Sequence, residues 1–291
     1  MNGILIVDKP TDWTSFDVIA KLRGILGTRK LGHSGTLDPM ATGVLPVFAG
    51  GASKAVDMQP NHDKTYRAVI RFGLATDTGD VTGTVLRSEE TAITADQLRE
   101  VLPRFTGDIM QTPPMYSAVK VNGSPLYKLA RQGITVERKA RPVTIYRLEL
   151  LDQPQAQDFV LEVACSKGTY VRTLVEELGE ALGVPATLAG LRRTQAGIFG
   201  LEHSHTLEEI QAAKDAGTLK ELLLPVETVF AHLPLITVSA GHTARLMNGA
   251  PCYRFSQPEG IYRLHGPDGF LGLGRIKEKE LKAEKLFMER T

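Results

Sequence analysis

The sequence predicts an α+β protein that ends in a small β-rich unit, and three observations carry that expectation. Residues 65–72 and 158–165 alternate apolar and polar side chains, the period of a half-buried strand. Helices are announced separately by capping residues, as in Thr94-x-x-Gln97 and Thr206-x-x-Glu209. From about residue 231 the texture changes to short runs broken by Asn248-Gly249, Pro258-Glu259-Gly260 and Gly266-Pro267-Asp268-Gly269, which are hairpin-type turns. A length of 291 residues fits one large domain and one small one, with the boundary near residue 231.

Taken in order, residues 3–7 read as a buried strand. A turn over 8–13 follows, and Thr14 or Ser15 caps a helix running to about Leu26. Its apolar positions Val18, Ile19, Leu22, Ile25 and Leu26 keep helical spacing. In the strand at 65–72, Tyr66, Ala68, Ile70 and Phe72 share one face and Arg67 and Arg71 the other. The glycines and aspartates of 73–85 read as turn chemistry. Leu98, Val101, Leu102 and Phe105 mark the helix opened by Thr94, with Gly107 as its end. Strands are predicted at 143–150 and 158–165, the second with Phe159, Leu161, Val163 and Cys165 on one side. That strand runs into Ser166-Lys167-Gly168-Thr169-Tyr170-Val171-Arg172, and Leu174, Val175, Leu178 and Leu182 then mark a helix stopped by Gly183. Tyr170 and Arg172 thus fall at a strand-to-helix junction, a common place for functional groups.

Composition excludes several classes. The 42% hydrophobic content is ordinary for a globular protein, and no apolar run approaches the roughly 20 residues that span a membrane. Residues 1–8 are too short and too acidic for a secretory signal, so no membrane partner is expected. Cys165 and Cys252 make neither a disulfide framework nor a CxxC pair, and a reducing cytoplasm is the expected location. His203-Ser204-His205 has no cysteine nearby and reads as a solvated turn, so no metal site is expected. The formal net charge of +1 hides an asymmetry. Residues 73–110 hold seven acidic and three basic residues, whereas 111–147 hold seven basic and one acidic. On residue types alone, the basic segment is either a phosphate-binding face or a solvated loop.

The densest stretch is Gly32-His33-Ser34-Gly35-Thr36-Leu37-Asp38-Pro39-Met40-Ala41-Thr42-Gly43-Val44-Leu45-Pro46. Its glycines and prolines make a shaped loop, and Asp38 is its only acidic group. Two readings stand side by side: an Asp-Pro turn with a capping role, or a carboxylate held rigid as nucleophile or base.

This stretch resembles the signature loop of the TruB family of tRNA pseudouridine synthases, with Ser34 and Met40 where Thr and Leu are more usual. Lys9-Pro10, Lys64-Thr65-Tyr66-Arg67-Ala68, Ser166 to Leu174 and Leu188 to Phe199 resemble further motifs of that family in the family's order. Asp12 stands where the family usually has glycine, and Val171 where it more often has Ile. The resemblance implies a mixed, mostly antiparallel sheet with flanking helices over 1–230, and a PUA-like RNA-binding domain over 231–291. It implies that residues 111–142, bounded by Pro113-Pro114 and Arg141-Pro142, form a thumb that grips tRNA, with Lys120 and Arg131 among its contacts. Two basic residues usually follow the thumb's Asn-Gly turn; here Ser124-Pro125 take their places, which predicts a weaker dependence on salt.

The implied chemistry is isomerisation of uridine to pseudouridine in the T-arm of tRNA, with no cofactor, no metal and no obligate protein partner. Asp38 is the implied nucleophile, by addition to the ribose, addition to the base, or a glycal path begun by proton abstraction. Arg172 is its implied partner, because a guanidinium stays charged and grips a carboxylate with two prongs. Tyr66 is assigned to stack on the flipped base, Tyr170 to pack beside it, Leu191 to line the pocket and His33 to fill the gap the base leaves. A tRNA-folding chaperone with little catalytic role is the alternative. A sugar-cleaving glycosidase ranks low, because no second acid belongs to the matched motifs.

Overall fold

The computed structural model describes residues 1–121 and 123–288. Strand β1 (Gly3–Lys9) is followed by helix α1 (Ser15–Leu26). Thr14 caps α1 in a full capping box: its side chain accepts from the Asp17 amide while the Asp17 carboxylate accepts from the Thr14 amide. Asp12, in the turn before it, adopts the left-handed φ of 61°. The departure from glycine there leaves a left-handed turn carrying a side chain.

Strands β2 (Leu31–His33) and β3 (Thr42–Ala49) flank the Asp38 stretch. Irregular backbone covers only 34–41, because Val44, Leu45 and Val47 are drawn fully into the core as part of β3. Strand β4 (Lys64–Phe72) buries Tyr66, Ala68, Ile70 and Phe72, the face that alternation selects. A small hairpin, β5 (Leu74–Thr76) and β6 (Val85–Ser88), leads to α2 (Ala95–Val101), opened by the Thr94–Gln97 capping box. The helix tightens into a 3-10 turn over Leu102–Phe105, and Gly107 begins β7 (Gly107–Gln111) instead of closing the helix.

The basic segment holds the ladder of β8 (Lys120–Val121) and β9 (Ser124–Pro125) and the short helix α3 (Leu126–Ala130). Asn122 of the expected Asn-Gly turn lies outside the described residues. Strands β10 (Arg141–Gln155) and β11 (Asp158–Cys165), helix α4 (Val171–Leu182), strands β12 (Ala186–Ala196) and β13 (Phe199–Gly200), and helix α5 (Leu207–Asp215) complete the larger part. The segment through His203 and His205 is not a free turn. The His205 amide donates to Ile6 O at 2.9 Å, and its carbonyl accepts from the Asp8 amide at 2.9 Å, so it extends the edge of β1.

The main sheet runs β1-β3-β12-β4-β11-β10-β7, with β2 on β3 and β13 on β12. Only the β3–β12 pair is parallel within it, so the sheet is mixed and mostly antiparallel, as expected. One core packs α4 and α2 on β4 and β11, through Phe72, Phe159, Leu161, Leu178 and Leu98. A second packs α1 and α5 on β1 and β3, through Val18, Leu22, Leu5, Leu45 and Ile210.

A second sheet, β14 (Leu235–Thr237), β16 (Gly260–Gly266), β17 (Gly269–Lys277), β18 (Glu280–Leu286) and β15 (Cys252–Tyr253) in that spatial order, follows. It also carries α6 (Ala240–Met247), which sequence reading did not anticipate: only Leu246 is buried, so there is no apolar stripe to read. Phe230, Phe270 and Phe287 interlock, with the rings of Phe230 and Phe287 at 5.2 Å, and they share a cluster with Ile4 and Phe48 of the main sheet. The texture change near 231 is therefore bridged by packed aromatic surface.

Candidate active site

The Asp38 loop is fixed from three directions, each through its own backbone. Lys9, fully buried at the end of β1, donates from Nζ to Pro10 O, Trp13 O and Pro39 O at 2.8, 2.6 and 3.1 Å. Ser15 at the start of α1 accepts from the Leu37 amide at 2.9 Å, and Leu37 itself enters the core. Arg193 of β12, also fully buried, donates from Nε to Val44 O at 2.7 Å and from Nη2 to Gly35 O at 3.1 Å. Gly43 must be glycine for this grip: its φ is 98°, and a Cβ would meet Arg193 O at 2.2 Å. A loop restrained this way holds its carboxylate with little freedom, the preorganisation a reacting group needs.

Asp38 lies at a cleft of about 520 Å³, within the range of small-molecule sites. Arg172, on the first turn of α4, reaches it with Nη2 3.0 Å from Asp38 Oδ2. The rest of the guanidinium is occupied. Nη1 donates to Thr78 O at 2.8 Å, Nη2 also donates to Tyr116 O at 2.8 Å, and Nε faces Asp80 Oδ2 at 3.9 Å. Asp80 is in turn held by the hydroxyls of Thr78 and Thr82 and by the Thr82 amide. Asp38 keeps 41% of its side chain exposed while Arg172 keeps 7%, so the carboxylate faces the cleft and the cation stands behind it.

Tyr66, Tyr170 and Leu191 line this same cleft. Register explains Tyr66: it stands opposite Arg193 on β12, and the two side chains interact. Burial pushes the Tyr66 phenol up, opposed by the Arg193 charge. Tyr170 is pinned by Gln111, whose amide donates to Tyr170 O at 3.1 Å and whose carbonyl oxygen accepts from the Tyr170 amide at 2.7 Å.

Three assigned residues stand elsewhere. His33 is on β2 opposite Val47, outside the cleft lining, with burial and the Arg193 charge pushing its imidazole down. Lys120 and Arg131 are exposed on the basic segment and also do not line the cleft. Arg131 sits 5.7 Å over the ring of Tyr127, which does.

Four functional-looking residues escaped the sequence reading. Asp80 looks like turn chemistry in the sequence, Lys9 and Arg193 carry no visible role there, and nothing in the sequence joins Tyr116 to Arg172. None of the four carries a local signal: Arg193 stands between Arg192 and Thr194, and its place opposite Tyr66 follows only from strand pairing.

Comparison with known proteins bears on this geometry. Residues 23–171 match the model of the TruB family pseudouridylate synthase (N terminal domain), and residues 172–231 that of the tRNA pseudouridylate synthase B C-terminal domain. The chain is 45% identical over 283 residues to the tRNA pseudouridine synthase B of Stutzerimonas stutzeri, covering 96% of this chain and 92% of that one. It is 44% identical to the protein of the same name from Dechloromonas aromatica, covering 94% and 91%. Among solved structures, a Cbf5-Nop10-Gar1 complex gives a TM-score of 0.73 at 27% identity, covering 99% of this chain and 85% of that one. An H/ACA RNP bound to a substrate RNA containing 2'-deoxyuridine gives 0.72 at 25%, covering 99% and 86%. The chain belongs to the TruB family of pseudouridylate synthases.

Proposed function

We propose, from that family membership, that the chain isomerises uridine to pseudouridine in tRNA, at position 55 of the T-arm, with Asp38 as its nucleophile. The observation that carries this reading is the Asp38 carboxylate, restrained by its loop and paired at 3.0 Å with Arg172, in a cleft walled by Tyr66 and Tyr170. The reaction breaks the N1–C1′ bond and forms a C5–C1′ bond. C5 gives up a proton and N1 gains one, so the product is an isomer and no oxidant or reductant enters. Addition to the ribose, addition to the base and the glycal path each call on the same carboxylate.

Arg172 keeps Asp38 aimed at the cleft. Asp80 and the carbonyls of Thr78 and Tyr116 fix the guanidinium in turn. A base buried in a folded RNA loop costs a few kcal/mol to extrude. Stacking on an aromatic ring returns roughly 1–3 kcal/mol per base. Tyr66 is assigned that stacking, Tyr170 packs beside it, and Leu191 closes the apolar side. Residues 111–142 act as a thumb over the cleft. Tyr116 ties its base to Arg172, while Lys120, Lys128 and Arg131 present an exposed basic face to the RNA backbone. The five-stranded sheet after 231 supplies a second, PUA-like RNA-binding surface. The site of action is the cytoplasm, and the RNA is the one macromolecular partner the mechanism needs.

The test is tritium release from tRNA carrying C5-tritiated uridine, with wild type, D38N and a tRNA with cytidine at position 55. Release by wild type only, and only from the uridine-55 tRNA, is the expected result. No release by wild type with tRNA still bound supports the folding-chaperone reading instead.

A further inference from the structure

The cleft that holds Arg172 also holds two cations, Lys64 and Arg193, that make no close ion pair among the described residues. Arg193 is fully buried, its guanidinium is bonded to the carbonyl oxygens of Val44 and Gly35, and it stands opposite Tyr66 in the ladder. Lys64, at the start of β4, lines the same cleft and donates from Nζ to His62 O. Among the described residues neither forms an ion pair within 4.0 Å, although thirteen such pairs occur elsewhere. Asp63, the carboxylate beside Lys64 in sequence, accepts from the Tyr146 hydroxyl at 3.3 Å. Burial first, then the charge of Arg193, hold the Lys64 ammonium below its ordinary value, and the Asp63 carboxylate opposes them only in part.

The two cations converge on one gap. A Cβ added to Gly35 would lie 3.4 Å from Lys64 Cε, 3.9 Å from Lys64 Nζ and 3.6 Å from Arg193 Nη1. Gly35 has a φ of 102° and no side chain, so the backbone there leaves open the space between them. Gathering like charges away from water without a counter-charge is unfavourable. An anion in the gap removes that cost, and a nucleotide entering this cleft brings one.

We propose that Lys64, backed by Arg193, takes the phosphodiester next to the target uridine over Gly35. This rests on the RNA-modifying reading above. Lys64 makes the contact, since it is the less buried of the two. Arg193 holds Gly35 in place through its carbonyl and adds its charge from behind. Asp38 and Arg172 then act on the nucleoside while Lys64 holds its phosphate. That division sets the orientation of the flipped nucleotide.

The experiment uses the full chain and a T-arm stem-loop RNA that wild type turns over, so a failure of the modification reading is visible before any variant is tested. In steady-state tritium release, K64M is expected to raise KM about tenfold with kcat within about twofold, and K64R to restore most of the loss. The slope of log KM against log salt should fall by about 0.7–0.9, the amount one phosphate contact contributes. Neutral methylphosphonates placed singly at the two phosphates flanking the target uridine complete the cycle. At one of them wild type should lose about tenfold, and K64M should lose nothing further. Multiplicative losses at both positions overturn the proposal, as does wild type's indifference to both methylphosphonates. A drop in kcat at unchanged KM for K64M also overturns it, since that would place Lys64 in the chemistry.

Discussion

Arg172 and Arg193 line one cleft, both nearly closed to water at 6% and 0% exposure, and they are balanced in opposite ways. Arg172 faces carboxylates on either side, Asp38 and Asp80. Arg193 faces the carbonyls of Gly35 and Val44 and the side chain of Tyr66. The first arrangement fixes the place and charge of a reacting group. The second fixes the backbone that carries that group. The same side chain serves both ends because its five donors point in a rigid fork, which carboxylates and carbonyls can both fill. Lys9 does on a smaller scale what Arg193 does, clamping carbonyls with an ammonium.

The largest effect expected from this division is on the carboxylate itself. D38N should lower kcat by a factor on the order of 10⁴ or more, the scale on which nucleophiles fail. Its affinity for RNA, read by filter binding, should stay close to wild type. Loss of binding would mean that Asp38 shapes the loop, and the contrast between the two arginines would collapse. R172K comes next. It keeps the charge but loses the fork, and kcat should drop about a hundredfold, roughly 2.7 kcal/mol of barrier. Near-normal turnover would break the argument that the paired arginine positions Asp38.

D80N probes the other side of the same guanidinium. About a tenfold loss in kcat with KM unchanged is expected, roughly 1.4 kcal/mol, because Asp80 reaches the substrate only through Arg172. At the other arginine, R193K should act mainly on stability. Losing part of the carbonyl clamp leaves buried acceptors unmet, at a cost of about 1–3 kcal/mol, read as a lower urea midpoint at unchanged slope. A larger effect of R193K on kcat than on stability would erase the distinction between the two arginines.

The smallest effect is a pH signature that separates lysine from arginine as a carbonyl clamp. Burial pushes Lys9 down from 10.5 to about 8 in the folded chain, with Asp38 opposing. Between those values the unfolded chain binds more protons than the folded one, so this group makes stability rise with pH from about 8 to 10.5 and contributes no slope below. Urea unfolding of wild type and K9M across that window should differ in slope, with K9M the flatter. Equal slopes would mean that Lys9 keeps its proton as firmly as Arg193 does.

Much of the fold was legible because its signals are local. The caps at Thr94 and Thr206 form as read, and of Thr14 and Ser15 it is Thr14 that caps its helix, since each cap joins groups three residues apart. The alternation of β4 and β11 names their buried faces, because a strand's period is fixed by its own backbone. The pairing of Asp38 with Arg172 was reachable only through the motif resemblance, for nothing in either neighbourhood points to the other. Asp80 was hidden by its surroundings: among glycines and threonines it has the look of any turn aspartate.

What the sequence determined by itself is most of the main elements, the α+β class, and the loop whose glycines and prolines mark it as special. Propensity, capping and periodicity act over a few residues, and a chain carries them before it folds. Only the tertiary structure decided which cations the loop meets. Arg193 grips Gly35 from 158 residues away, and Lys9 reaches Pro39 from 30. The β3–β12–β4 order places Arg193 between Gly43 and Tyr66. A buried charge is defined by the partners that surround it, and those partners are chosen by strand order and register, which local sequence does not encode.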